Sequence, residues 1–129
     1  MSSYPELLTV TTEVRGHAVI VRAAGEVDMT TSSVLERGLT AARETAGSAP
    51  GAVVIDLDGV QFFGSAGIAL LVAARQACLE QGTPLHVVAT DPIVLRPIQV
   101  TGLEQVFDIV ATVDDALRIR LVDPNMRTA

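Results

Sequence analysis

The chain has 129 residues, with no lysine, no tryptophan, one cysteine and only 3% aromatic residues. Each shortage removes a class of chemistry. Without lysine there is no P-loop phosphate grip, no Schiff base and no kinase-type catalytic lysine. The single thiol, Cys78, cannot close an internal disulfide, and in an apolar helical stretch it reads as a small buried hydrophobe. Two histidines and that cysteine, widely scattered, do not make a metal-ligand set. The longest apolar run, Ile68 to Ala74, is seven residues, far short of the roughly 20 that cross a bilayer. No basic segment followed by an apolar stretch opens the chain, so no secretory leader is expected. Together with the lone thiol, this points to the cytosol. A net charge of −6 argues against nucleic acid.

What is present is an apolar share of 49% in one domain's length of chain. The core must be built from Val, Leu, Ile and Ala, which suits parallel strands covered by helices. Leu7 to Thr12 and Ala18 to Ala24 read as strands around a turn at Arg15-Gly16-His17, hence a hairpin. Thr30 to Ala46 reads as a helix with an apolar stripe, capped through Ser33 and Glu36 or by Thr30 or Thr31. Ala52 to Leu57 has the continuous apolar run of a central strand. A helix from Ser65 to Gln81 should stop at Gly82. Leu85 to Ala89 is a further strand. Asp91-Pro92 opens a third helix that ends near Thr101-Gly102. Val106 to Val110 gives a last strand, and Thr112 to Leu121 a final helix. The order β-β-α-β-α-β-α-β-α is an α/β pattern. Right-handed crossovers put Ser65 at the C-terminal edge of the sheet, where open α/β sheets collect binding sites.

Ser65 is the main candidate. It stands at the start of the apolar helix, among Gly64, Ala66 and Gly67. A helix N-terminus offers unpaired N–H groups and about half a positive charge, which would receive a phosphate. A capping role is the plain alternative. A hydrolase elbow needs glycine two residues before the serine, and Phe63 is there instead. His17 in the hairpin turn and His86 at a strand start lie too far away to serve as its base. Asp56 and Asp58 read as strand-end and turn residues. A phospho-accepting aspartate would want an acidic pair and a lysine, and Glu13 stands alone with no lysine anywhere. The run from Ala66 to Ala74 is apolar nearly all round, so complete burial is expected. Otherwise Ile68, Leu70, Ala73 or Ala74 leave a greasy strip beside Ser65.

Four segments in order carry a resemblance. Val53 to Gly67, Gly25-Glu26-Val27-Asp28 with Thr30-Thr31, Arg96 to Leu103 with Phe107, and Asp114 to Leu117 together resemble the signatures of STAS domains, specifically bacterial anti-sigma factor antagonists. The resemblance spans about Leu7 to Leu121. It implies a single STAS-like domain over 7–121, between a flexible N-terminus (1–6) and a C-terminal tail (122–129). It implies a mixed sheet of about five strands, an N-terminal hairpin then parallel strands, with about four helices mainly along one side. It also implies partner switching. The unphosphorylated protein binds an anti-sigma factor that is itself a serine kinase, a sigma factor is freed, the kinase phosphorylates the antagonist, and a serine phosphatase resets it. Carried over by motif, the phosphorylated residue is Ser65, with Asp28, Thr30, Thr31, Gly64, Ala66, Gly67 and Ile68 as the partner-binding rim. The family commonly has aspartate where this chain has Gly64. No enzymatic activity, no cofactor, no nucleic acid and no membrane are implied. A STAS module of a transporter accessory or stress-signalling complex, or a small Ser65-dependent hydrolase, are the rival readings.

Overall fold

A computed structural model describes residues 7–48 and 51–121, with the side chains of the last two left aside. The stretches 1–6 and 122–129, expected to be a flexible start and a tail, lie outside the described residues. Among the described residues, five strands form one sheet in the spatial order β1-β2-β3-β4-β5. The strands are β1 (Leu8–Arg15), β2 (Ala18–Val27), β3 (Ala52–Phe63), β4 (Leu85–Val88) and β5 (Ile109–Val110). The helices are α1 (Ser32–Gly47), α2 (Ser65–Gln81), α3 (Pro92–Val100) and α4 (Val113–Leu121). β1 and β2 are antiparallel, and the other neighbours are parallel.

The order of the parallel strands follows the chain without reversal. Each right-handed crossover therefore lays its helix on the same face. The main core follows from this: Leu35 and Leu39 of α1, Leu71 and Cys78 of α2, and Val94 and Ile98 of α3 meet Val21, Ile55, Leu57 and Val87 of the sheet. Burial pushes the Cys78 thiol up from its ordinary value, which keeps it protonated and unreactive. α4 alone folds back over the other face, where Ala116 closes a smaller cluster with Ala18, Ile20, Val54 and Val88. His86 is buried on the same side and bonds through Nδ1 to the Asp108 carboxylate.

Several local expectations hold, and others are corrected. α2 ends at Gly82, whose φ of 79° is the left-handed conformation that glycine favours. Asp91 caps α3, its carboxylate accepting from Ile93 N at 2.9 Å, with Pro92 following. β1 continues to Arg15 and β2 to Val27, so the hairpin turn is only Gly16-His17. β3 runs to Phe63 rather than stopping at Leu57. Its pairing with β2 absorbs two register shifts, between Arg22 and Ala24 and between Gly25 and Glu26. Asp56 and Asp58 are therefore inside a strand. The Asp56 carboxylate lies 3.5 Å from Arg22 Nε, and Asp58 accepts from Thr90 N at 3.1 Å. β5 keeps only Ile109 and Val110, because Leu103 to Phe107 turn instead of extending.

α2 is not wholly buried. Gly67, Leu71 and Cys78 face the core, whereas Ala69, Val72 and Ala73 are exposed. Ile68, Leu70 and Ala74 pack partly against the core. Leu71→Ala should cost about 2–5 kcal/mol in denaturant unfolding, as expected for emptying a buried leucine site. Val72→Ala, one residue on and 44% exposed, should stay within about 0.5 kcal/mol. Equal losses would mean that the helix is rotated from the orientation described.

Candidate functional site

The site forms where β2 and β3 end together. Val27 pairs with Phe63, and Gly64 N donates to Val27 O at 3.1 Å. The chain leaving β2 enters the turn Asp28 to Thr31, and the chain leaving β3 enters α2. Two segments far apart in sequence are thus held side by side at the C-terminal edge of the sheet.

The β2 side is fixed by Asp28. Its Oδ1 accepts from Thr30 N at 2.8 Å, Thr30 Oγ1 at 2.7 Å and Thr31 N at 3.1 Å. Thr31 Oγ1 donates to Glu26 O at 2.7 Å and accepts from Asp28 N at 3.0 Å. The helix start therefore differs from the expected capping box. Ser33 lies inside α1, and Thr31 at the cap position makes no side-chain cap bond. Asp28 instead satisfies the N–H groups ahead of the helix, the usual work of an Asx-type turn. The Thr30 hydroxyl is the main group holding the Asp28 carboxyl below its ordinary pKa, with the Thr30 N–H and Thr31 adding to it. The turn thus presents a fixed negative charge at neutral pH.

The β3 side is Gly64 and α2. Gly64 is the cap residue, and no side chain caps this end. The plain alternative for Ser65 therefore fails: it is the first helical residue, not the cap, and it is exposed. Gly64 O accepts from Gly67 N at 3.0 Å and Ile68 N at 3.2 Å. The N–H groups of Ser65 and Ala66 sit at the tip, ahead of the intrahelical ladder. Close packing explains Gly67. A Cβ on Gly67 would come within 2.6 Å of the Phe63 ring, so this helix end lies directly on a buried phenylalanine. A Cβ on Gly64 would come within 3.0 Å of the Phe62 ring. That ring lies close beside position 64 and would have to give by a few tenths of an ångström to admit a side chain there.

The residues named from the sequence do not all reach the surface. Ser65 and Thr30 are exposed, and Asp28, Gly64, Ala66 and Ile68 are half-buried. Thr31 and Gly67 are buried and shape the rim from beneath. Sequence reasoning missed two neighbours, Met29 at 87% exposure and Phe62 at 50%. An apolar residue between Asp28 and Thr30 was a usable signal for Met29. A strand ending at Leu57 gives no orientation for Phe62, which the full length of β3 supplies. Along α2 the exposed Ala69 and Val72 continue the surface away from Ser65 at helical spacing.

Among the described residues, neither histidine lies near enough to Ser65 to activate it as a nucleophile. His86 is paired with Val54 in the register, nine residues before Phe63 on β3. At about 3.3 Å per residue, less some shortening at the bulges, it lies on the order of 25 Å from the site. His17 stands at the same far end. The unreversed strand order also provides no switch-point crevice of the kind that holds small ligands in doubly wound sheets. The site is a polar and apolar rim around one exposed hydroxyl.

A STAS-domain family model matches residues 9–116. The anti-sigma-F factor antagonist RsfB of Mycobacterium tuberculosis is 35% identical over 115 residues, covering 89% of this chain and 91% of that one. The crystal structure of an anti-sigma factor antagonist from Mycobacterium paratuberculosis superposes with a TM-score of 0.80 at 36% identity, covering 92% of this chain and 97% of that one. SpoIIAA of Bacillus in its phosphorylated form shares the fold, with a TM-score of 0.66 at 15% identity, covering 88% of this chain and 100% of that one.

The Asp28 turn can be tested alone. A carboxyl with a lower pKa folded than unfolded adds stability above the unfolded value and loses it as pH falls through the folded one. An NMR titration should place the Asp28 midpoint below that of an unperturbed aspartate, and Thr30→Ala should raise it. A midpoint indifferent to Thr30→Ala would contradict the hydrogen-bond cause.

Proposed function

The chain belongs to the STAS-domain family, among its anti-sigma factor antagonists, and from that premise we propose that it is a cytoplasmic partner switch controlled at Ser65. The unphosphorylated form binds an anti-sigma factor and thereby releases a sigma factor. The anti-sigma factor is a serine kinase that brings ATP and magnesium and transfers a phosphoryl group to Ser65 Oγ. The complex then separates, and a serine phosphatase restores the hydroxyl. The domain works by binding rather than by catalysis and needs no cofactor of its own.

The observation that carries this reading is the exposed Ser65 at the first position of a helix whose end no side chain caps. The free N–H groups and the helix dipole tolerate a phosphate there, so the domain can stay folded. The partner meets a different surface. A phosphoserine adds about −1.5 to −2 charges. A docked partner would have to desolvate that charge against Gly64, Ala66, Ile68 and Ala69. The ionised Asp28 on the neighbouring turn offers no compensation. Leaving a charge poorly paired in an interface costs on the order of 2–5 kcal/mol. That corresponds to roughly 30-fold to several-thousand-fold in affinity. No large rearrangement is required. Asp28 and Thr30 present the polar half of the rim, and Thr31 and Gly67 hold the two halves in place.

Incubation with its anti-sigma kinase and Mg–ATP should add one phosphate to the protein, measured by intact mass. Ser65→Ala should abolish the gain yet still bind the kinase. A phosphate retained in Ser65→Ala would move the switch to another residue. Turnover of a generic ester that disappears in Ser65→Ala would favour a hydrolase instead.

A further inference from the structure

The two edges of the sheet are built differently. At one edge β5 has two residues, too few to template another chain. The other edge is β1, eight residues that pair with β2 in unbroken register, from Leu8 opposite Gly25 to Arg15 opposite Ala18. Natural sheets guard such an edge with proline, lysine or a bulge, and β1 has none of the three. Its two charged side chains lean inward. Arg22 on β2 holds the Glu13 carboxylate at 2.6 Å, and Glu13 holds Arg15 at 2.9 Å.

The ladder says which backbone groups stand free. Glu26 N donates to Leu7 O at 2.8 Å, whereas the carbonyl of His17, at the start of β2, accepts from Ala52 N of β3 at 2.9 Å. Backbone groups alternate in direction along an antiparallel pair, so Thr9, Thr11, Glu13 and Arg15 turn theirs to β2. Leu8, Val10, Thr12 and Val14 turn their N–H and C=O groups outward, where no other strand of the described residues meets them. The side chains of Val10, Thr12 and Val14 lie on the α1 face of the sheet, and Val14 is 67% exposed.

We infer that β1 is a self-association edge: a second copy of the chain adds its own β1 antiparallel, across a two-fold axis at Thr12, and one sheet runs through both copies. The side chains choose this occupant. Val10-Thr11-Thr12-Glu13-Val14 has nearly the same character read in either direction. The axis therefore opposes Val10 to Val14 of the second copy, Thr12 to Thr12, and Thr11 to Glu13. Every outward-turned residue meets another, β-branched side chains stack in pairs, and no charge directly faces its like. The helices leave room for it. α1 lies mainly over β2, so the two α1 helices stand about 14 Å apart, three strand spacings, wider than a helix with its side chains. The antiparallel arrangement turns the two Ser65 rims to opposite ends of the joint sheet and leaves both open.

Eight strand residues a side, against the roughly 20–30 of a standard interface, make this a weak dimer that forms as concentration rises. Sedimentation equilibrium of the full chain from about 10 μM to about 1 mM should show a reversible monomer–dimer equilibrium. Thr12→Pro removes one outward N–H and spares the bonds to β2, a position where edge strands tolerate proline. Val14→Lys puts a charge into the pair with Val10. Each should weaken the dimer about tenfold or more, as expected of central contacts. Val100→Lys, an equally exposed change on α3, should stay within about twofold. Val14 is exposed, so the unfolding midpoint of Val14→Lys should match wild type, and that variant decides if Thr12→Pro fails to fold. In a mixture of isotope-labelled and unlabelled copies, the methyls of Val10 and Val14 should contact each other between copies. A chain still monomeric at about 1 mM, or a dimer that Val100→Lys dissolves and Val14→Lys leaves intact, would overturn the inference. Dimerisation only after removal of residues 1–6 would assign the edge to the chain's own N-terminal segment and equally overturn it.

Discussion

The hydrogen bond from Gly64 N to Val27 O, 3.1 Å long, ties together the two halves on which the site depends. It closes the pairing of β2 with β3 at its far end. It extends the Val27–Phe63 pairing by one step, so the Asp28 turn and the start of α2 leave the sheet side by side. There, one exposed hydroxyl, one fixed carboxylate and one aromatic ring share a rim. The two register shifts between the strands make that meeting possible, since β3 must carry extra residues to finish level with Val27. A bulge of this kind re-aims side chains and is a common device beside functional sites.

The sheet order has a second consequence. Because the parallel strands progress in one direction, α1, α2 and α3 share a face and no crevice opens between opposed helices. A fold built this way presents edges and helix ends to other proteins. On the proposed reading, the response to a phosphate on Ser65 would be correspondingly local. The helix end would accept the anion, and the cost would arise only where a second surface must exclude water from it. Such a division would suit a switch, since one modification would leave the domain intact and make the complex unfavourable.

Much of the fold was legible in the sequence, for identifiable reasons. The end of α2 is legible because the helical stretch meets Gly82, a glycine that can adopt positive φ. α3 was placed by Asp91-Pro92, in which a cap and a helix-starting proline stand together. β3 was cut short because Asp58-Gly59 has turn composition. Only the tertiary pairing with β2 shows that it is bulged strand. The same error hid Phe62, whose facing depends on a register shift that no local pattern encodes. The expected burial of α2 failed for a related reason. Alanines and Val72 satisfy an apolar pattern without revealing which side of the helix is covered. Ser65 is legible as a candidate from its place at the start of an apolar helix, whereas the Asp28 turn follows only from motif resemblance. That pattern named residues without distinguishing exposed Thr30 from buried Thr31, or the small surface of Ala66 from Gly67 pressed on Phe63.

The central claim is that an anion on Ser65 disfavours the complex and spares the fold. Calorimetric titration of the purified anti-sigma factor into stoichiometrically phosphorylated and unphosphorylated protein, with thermal unfolding of both forms alongside, measures the two effects together. The account predicts an affinity ratio of roughly 30 or more with nearly unchanged unfolding. Equal affinities, or a lost complex explained by an unfolded phosphoprotein, would contradict it.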